Sequence, residues 1–138
     1  MPTLQLERLA RLLSRQTDQC LSAIGLRAAH LPVLAALKDG QAKTQKELAT
    51  IAGVEQPSMA QLLNRMERDG LIVRTASQND RRSSLVTLSS EGCDRLEPGR
   101  DVLRRIDAEV CASLSVSDRE TLVSPLNKLN EVRGTREE

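Results

Sequence analysis

The stretch that most constrains the fold is TQKELATIAGVEQPSMAQLLNRMERDG, residues 44–70, where two helical segments are separated by only four residues, GVEQ. Thr44 stands three positions before Glu47, the spacing of a capping box. In that motif the threonine hydroxyl accepts from a backbone N–H one turn in, while the glutamate reaches back to the cap. A helix is therefore expected to start at Thr44 and run through LATIA to Gly53. Pro57 suits the first position of the next helix, where a missing N–H is not needed. Met59, Leu62, Leu63 and Met66 then follow at i, i+3, i+4 and i+7, which sets Ser58, Gln61 and Arg65 on the opposite, polar side. Gly70 ends this helix.

Two short runs rich in β-branched residues come next, LIVRT (71–75) and LVTL (85–88), and the polar stretch between them turns at Asn79-Asp80. They predict a hairpin with a long, charged tip. Two helices joined by about four residues, the second with a polar outer face, followed by a hairpin carrying arginines, is the arrangement of a winged helix-turn-helix. A helix fits the major groove of B-DNA, where Gln and Arg pair with base edges. A basic loop beside it reaches phosphates or the narrow minor groove.

The flanking segments read as helices. Leu4, Leu6, Leu9, Leu12, Leu13, Leu21 and Ile24 recur at helical spacing over roughly residues 4–24, ended by Gly25. A short second helix has Leu31, Leu34, Ala35 and Leu37 on one side and stops at Gly40. Ser89 or Ser90 caps a fifth helix that includes Cys111, with Leu96, Val102, Leu103, Ile106 and Val110 continuing past a kink or break at Pro98-Gly99. Ser117-Asp118-Arg119-Glu120 reads as a second capping box, opening a last helix through Leu122, Leu126, Leu129 and Val132. The fold class is mainly α with a small β-hairpin wing.

Charge and composition narrow the partners. The net charge of +1 hides a gradient. Residues 1–40 carry 5 Lys+Arg against 3 Asp+Glu (+2), residues 41–90 carry 7 against 5 (+2), and residues 91–138 carry 8 against 11 (−3). The first two thirds can therefore face an anion. No Phe, Tyr or Trp is present, so the core must be Leu, Ile, Val, Met and Ala, and no ring is available to stack on a planar ligand. Three separated cysteines without metal-ligand spacing predict neither a disulfide framework nor a zinc site, and no cofactor is implied. A single histidine, no phosphate loop and no nucleophile motif argue against an enzyme. No apolar run approaches a membrane span, and MPTLQLERLARLL lacks a secretory pattern, so a soluble, cytoplasmic protein is expected.

GLRAAHLPVLAAL, then TQKELATIAGVEQPSMAQLLNRMERDGLIVR, then NDRRSSLVTLSSEG cover residues 25–92 in order, and over this span the chain resembles the MarR family of bacterial transcription regulators. The wing motif Asp80-Arg81-Arg82 followed by L-x-x-L-[ST]-x-x-G is the most specific part. The resemblance implies one domain over residues 1–138, with 25–92 as its DNA-binding part and 1–24 and 93–138 as dimerisation helices. It implies a homodimer on a palindromic double-stranded operator, most simply acting as a repressor. By the same resemblance, Gln56, Pro57, Ser58, Gln61 and Arg65 belong to the recognition helix, and Thr44 and Gln45 lie at a helix start able to bind phosphate. Arg81 belongs to the basic wing, Arg82 enters the minor groove, and Asp80 orients the wing arginine and ties the wing to the recognition helix.

Alternatives stay open at this level. A winged helix can serve as a protein–protein interaction module that does not bind DNA. Release from DNA has two candidate routes. Small phenolic or carboxylate effectors are common in the family, and Arg15 and His30 are the candidate partners, although both are expected at the surface. Thiol oxidation is the other route, with Cys20 and Cys111 as candidates. Peroxide-responsive members use an early first-helix cysteine with tyrosine partners, and this chain has no tyrosine and a late Cys20.

Overall fold

The structure, a computed structural model, describes residues 1–77 and 84–134. Its elements in chain order are α1 (Pro2–Ser22), α2 (His30–Ala36), β1 (Lys43–Thr44), α3 (Gln45–Ala52), α4 (Gln56–Arg68), β2 (Ile72–Ala76), β3 (Ser84–Leu88), α5 (Ser90–Val110) and α6 (Val116–Gly134). A 3₁₀ turn, Cys111–Ser113, lies between the last two. The chain divides into two compact units, Met1–Leu103 and Arg104–Glu138.

In the first unit, α3 packs on both α2 and α4. Leu21, Leu26, Leu34, Leu37, Leu48, Met59, Leu63, Met66 and Leu71 are sealed from solvent, with Val33 and Val86 among them. This is the aliphatic and thioether core that a chain without Phe, Tyr or Trp must build. Thioethers fill irregular gaps well, and Met59 and Met66 supply the flexible part of it. The apolar positions read from the α4 periodicity are all buried, whereas in α2 Val33 is buried alongside Leu31, Leu34 and Leu37 and Ala35 is only half-buried.

The hairpin is as expected, with the first strand shifted by one residue and the second longer by one at its start, and it pairs antiparallel from Ile72↔Leu88 to Ala76↔Ser84. A third strand was not foreseen. β1 pairs with β3 through Lys43↔Val86 and Thr44↔Leu85, giving the sheet order β1-β3-β2. Two residues carry no alternation to read. They become a strand because β3 offers them an open edge just before the α3 cap.

Three local expectations are corrected. Pro98-Gly99 neither ends nor divides α5, which runs unbroken through both. A Cβ on Gly99 would meet Leu31 Cδ2 at 2.7 Å and Leu26 Cδ1 at 3.1 Å, so the glycine is there for close packing. The cap of α6 is Ser115, whose Oγ accepts from Asp118 N–H at 3.0 Å while Asp118 Oδ2 accepts from Ser115 N–H at 3.2 Å. Ser117 is therefore inside the helix. Cys111 belongs to the 3₁₀ turn and not to α5.

The hairpin base is fastened to the start of α5. Ser89 Oγ accepts from Gly92 N–H at 3.0 Å and donates to the Gly70 carbonyl at 2.5 Å, and Ser89 N–H donates to Leu71 O at 3.1 Å. Gly92 is buried in this corner, and a Cβ there would land on the Leu71 carbonyl oxygen, a backbone atom already held in place. Gly92→Ala is expected to cost roughly 1–3 kcal/mol, the usual range for overpacking, measured as a shift in the urea midpoint at unchanged slope.

Candidate nucleic-acid interface

The site is built outward from the α3–α4 corner. Thr44 is extended (φ −77°, ψ 160°), and its Oγ1 accepts from Glu47 N–H at 3.2 Å while Glu47 Oε1 accepts from Thr44 N–H at 3.4 Å. Both halves of the capping box are present. The helix leaves its first amides without intrahelical partners, and a dipole end with free N–H groups favours a phosphate. Gly53 closes α3 in the left-handed conformation (φ 67°), where a Cβ would be strained. Gln45 Nε2 then donates to the Gln56 carbonyl at 3.3 Å, joining the first turns of the two helices.

α4 begins one residue earlier than expected, with Gln56 first and Pro57 second, where a missing N–H is equally harmless. Because Met59, Leu62, Leu63 and Met66 face inward, the other side must face solvent: Gln56, Pro57, Ser58, Gln61 and Arg65 are all exposed. Asn64 and Arg68 are exposed as well. They lie three residues beyond Gln61 and Arg65, so the same periodicity that placed those two was signal enough to find them. The face offers amide, hydroxyl and guanidinium groups, the chemistry that recognises base edges and phosphates.

α4 also meets the hairpin. Arg74 Nε lies 3.7 Å from Glu67 Oε2, a pair joining the end of α4 to β2. Among the described residues, Arg74 Nε and Nη2 have no hydrogen-bond acceptor. This contact crosses the Gly70 turn and carries no sequence motif. Asp80, Arg81 and Arg82, expected at the wing tip, lie outside the described residues.

The effector and redox candidates fall elsewhere. Arg15 is exposed on α1, as expected. His30 is buried, contrary to expectation, with 5% of its surface accessible. Its Nδ1 accepts the Arg27 N–H at 3.1 Å, so the ring serves the backbone of the turn before α2, and this accounts for its burial. Burial pushes the His30 pKa below its ordinary value, and Arg27 and Arg65 act in the same direction against Asp69 and Asp18. Cys20 and Cys111 are half-buried free thiols, and Cys111 Sγ lies 3.8 Å from Asp107 Oδ1. A cavity of about 450 Å³ within the first unit is walled by Leu13, Thr17, Leu31, Leu96, Arg100 and Leu103, among others, and by neither Arg15 nor His30. Arg100, its one cationic wall, is paired with Glu97 at 2.7 Å.

Residues 24–83 match the sequence model described as the MarR family. The chain is 28% identical over 116 residues, 84% of each chain, to the HTH-type transcriptional regulator YwoH of Bacillus subtilis (strain 168). Its fold is similar to that of the transcriptional repressor CouR bound to a 23-mer DNA duplex, with a TM-score of 0.84, 27% identity, and coverage of 94% of this chain and 92% of that one. It is also similar to a MarR variant from E. coli complexed with operator DNA, with a TM-score of 0.82, 24% identity and 94% coverage of both chains.

The capping box makes the start of α3 testable apart from DNA. Thr44→Ala is expected to lower unfolding stability by about 1 kcal/mol, the usual cost of a lost N-cap, and Thr44→Ser to restore most of it, both read by chemical denaturation.

Proposed function

We propose that this chain, which matches the MarR family model over residues 24–83, is a homodimeric transcriptional repressor that binds a two-fold symmetric DNA operator through α4 and the hairpin tip. The observation that carries this reading is the solvent-facing polar side of α4, Gln56, Ser58, Gln61, Asn64, Arg65 and Arg68, opposite a fully buried apolar side. In this reading the side chains of α4 enter the major groove, the start of α3 at Thr44 and Gln45 holds a phosphate, and Arg82, oriented by Asp80 beside Arg81, enters the minor groove.

A dimer is supported by apolar surface that a small monomer would not leave in water. Leu4, Leu9 and Leu12 of α1 are 59%, 47% and 54% exposed, and Leu122, Val123, Leu129 and Val132 of α6 are comparably open. Single exposed apolar residues are ordinary, but runs of them along whole helices mark an association surface. Residues 25–92 then serve DNA, and 1–24 and 93–138 serve dimerisation. The dimer sets the distance between two recognition helices, and a two-fold operator mirrors it.

Release from DNA is assigned to a small, mostly apolar effector in the cavity beside Leu13, Thr17, Leu31 and Arg100. Arg100, and not Arg15 or His30, is the group there that can meet an anionic end. Oxidation of Cys20 or Cys111 is the second route, supported only by their partial exposure.

Binding is tested by fluorescence anisotropy on a duplex recovered by selection, across a salt series. Affinity is expected to fall steeply with salt, because each neutralised phosphate releases counterions. Arg82→Ala is expected to weaken binding at least tenfold, about 1.4 kcal/mol. Unchanged affinity refutes the wing assignment, and salt-independent or absent binding points to a winged-helix protein-interaction module instead.

A further inference from the structure

A second cavity of about 390 Å³ lies in the first unit, between the turn before α2 and the C-terminal half of α4. It is walled by Arg27, His30 and Leu26 on one side and by Leu62, Arg65 and Asp69 on the other. We propose that His30 is a positioning residue for the recognition helix: its neutral ring pins the turn that forms one wall of this cavity, and protonation in mild acid frees that wall and weakens DNA binding. The inference rests on the DNA-binding reading above.

The turn is held by two side chains. Ala28 N–H donates to Asp18 Oδ1 of α1 at 2.8 Å, and Arg27 N–H donates to His30 Nδ1 at 3.1 Å. The backbone adds His30 N–H to Arg27 O at 3.0 Å. An imidazole accepts only through an unprotonated nitrogen, so the Arg27 bond exists only while the ring is neutral, with its proton on Nε2. Once charged, both ring nitrogens are donors, and the Arg27 N–H faces another N–H across a part-buried contact. The Arg27 donor loses its acceptor in a part-buried turn, and the turn relieves the clash of two donors by moving.

Charges from every element around the ring bear on this step. Asp18 comes from α1, Arg27 from the turn itself, and Arg65 and Asp69 from α4. Asp18 is already engaged with the Ala28 amide. Arg27 and Arg65 repel an imidazolium, whereas Asp69, the C-cap of α4, attracts it. A proton on His30 therefore loosens the turn and pulls the ring toward the end of the recognition helix, next to Arg65 on its exposed face.

Burial lowers the folded pKa of His30, and the sign of the effect follows from that. The unfolded chain takes up the proton first as pH falls, near the ordinary value of about 6.5. The stability due to neutral His30 is complete above that pH, falls as pH drops from there toward the lower folded value, and changes no further below it. Asp and Glu titrate further down, so the window from about 6.5 to 5 belongs to the one histidine of the chain.

The test compares the full-length wild type with His30→Gln, whose side-chain oxygen can accept the Arg27 N–H at any pH. Three readouts are taken between pH 7.5 and 5.5 at constant ionic strength: the ¹H–¹³C NMR titration of the single histidine, thermal unfolding, and affinity for a duplex selected at pH 7.5. The ring is expected to titrate below 6.5. Wild-type Tm is expected to fall more than that of the variant, and wild-type Kd to rise at least fivefold while that of His30→Gln changes less than twofold. A ring titrating at or above 6.5, or parallel melting profiles, overturns the pinning of the turn without reference to DNA. Normal binding at pH 7.5 with parallel losses of affinity overturns the link to α4 alone, and no binding at pH 7.5 overturns the DNA-binding reading and the link with it.

Discussion

Everything in the helix-turn-helix depends on the burial of one stripe of α4. Met59, Leu62, Leu63 and Met66 are at most 9% exposed. Each large apolar side chain buried contributes roughly 1.5–3 kcal/mol, far more than any single polar contact around them. Once that stripe faces inward, helical geometry leaves no choice about the other side: Ser58, Gln61, Asn64, Arg65 and Arg68 must point to solvent. The polar face is in this sense a consequence of the core.

Smaller interactions then set the orientation that burial alone leaves loose. The Thr44–Glu47 box defines where α3 begins, the left-handed Gly53 where it ends, and the Gln45–Gln56 bond joins its first turn to that of α4. Ser89 ties the hairpin base to the Gly70 turn, and Glu67 meets Arg74 across it. Each is worth about 1 kcal/mol or less. Together they hold two helices and a hairpin in one arrangement, and recognition of a rigid duplex requires that.

What could be read from the sequence was what periodicity and local caps encode. The two central helices, the inward and outward sides of α4, the Thr44 cap and the hairpin strands are all local patterns of adequate length. What could not be read depends on distant partners. β1 is two residues long and exists through β3. A buried His30 looks like an exposed one until the Arg27 amide is found beside it. Ser115 and Ser117 begin overlapping box patterns, and only the bonds to Asp118 choose the first, while Arg119 fastens that turn through two bonds to the Cys111 carbonyl at 2.7 and 3.1 Å. Pro98-Gly99 reads as a break because the leucines that Gly99 accommodates lie about 70 residues away in sequence.

The central proposal is that α4 and the wing, presented twice by a dimer, read duplex DNA. The most direct measurement is selection of bound duplexes from a random library by the purified full-length protein. A two-fold symmetric motif with half-site centres about ten base pairs apart, one helical turn, is the predicted result. Failure to enrich any motif, or enrichment of a single asymmetric half-site, would contradict it.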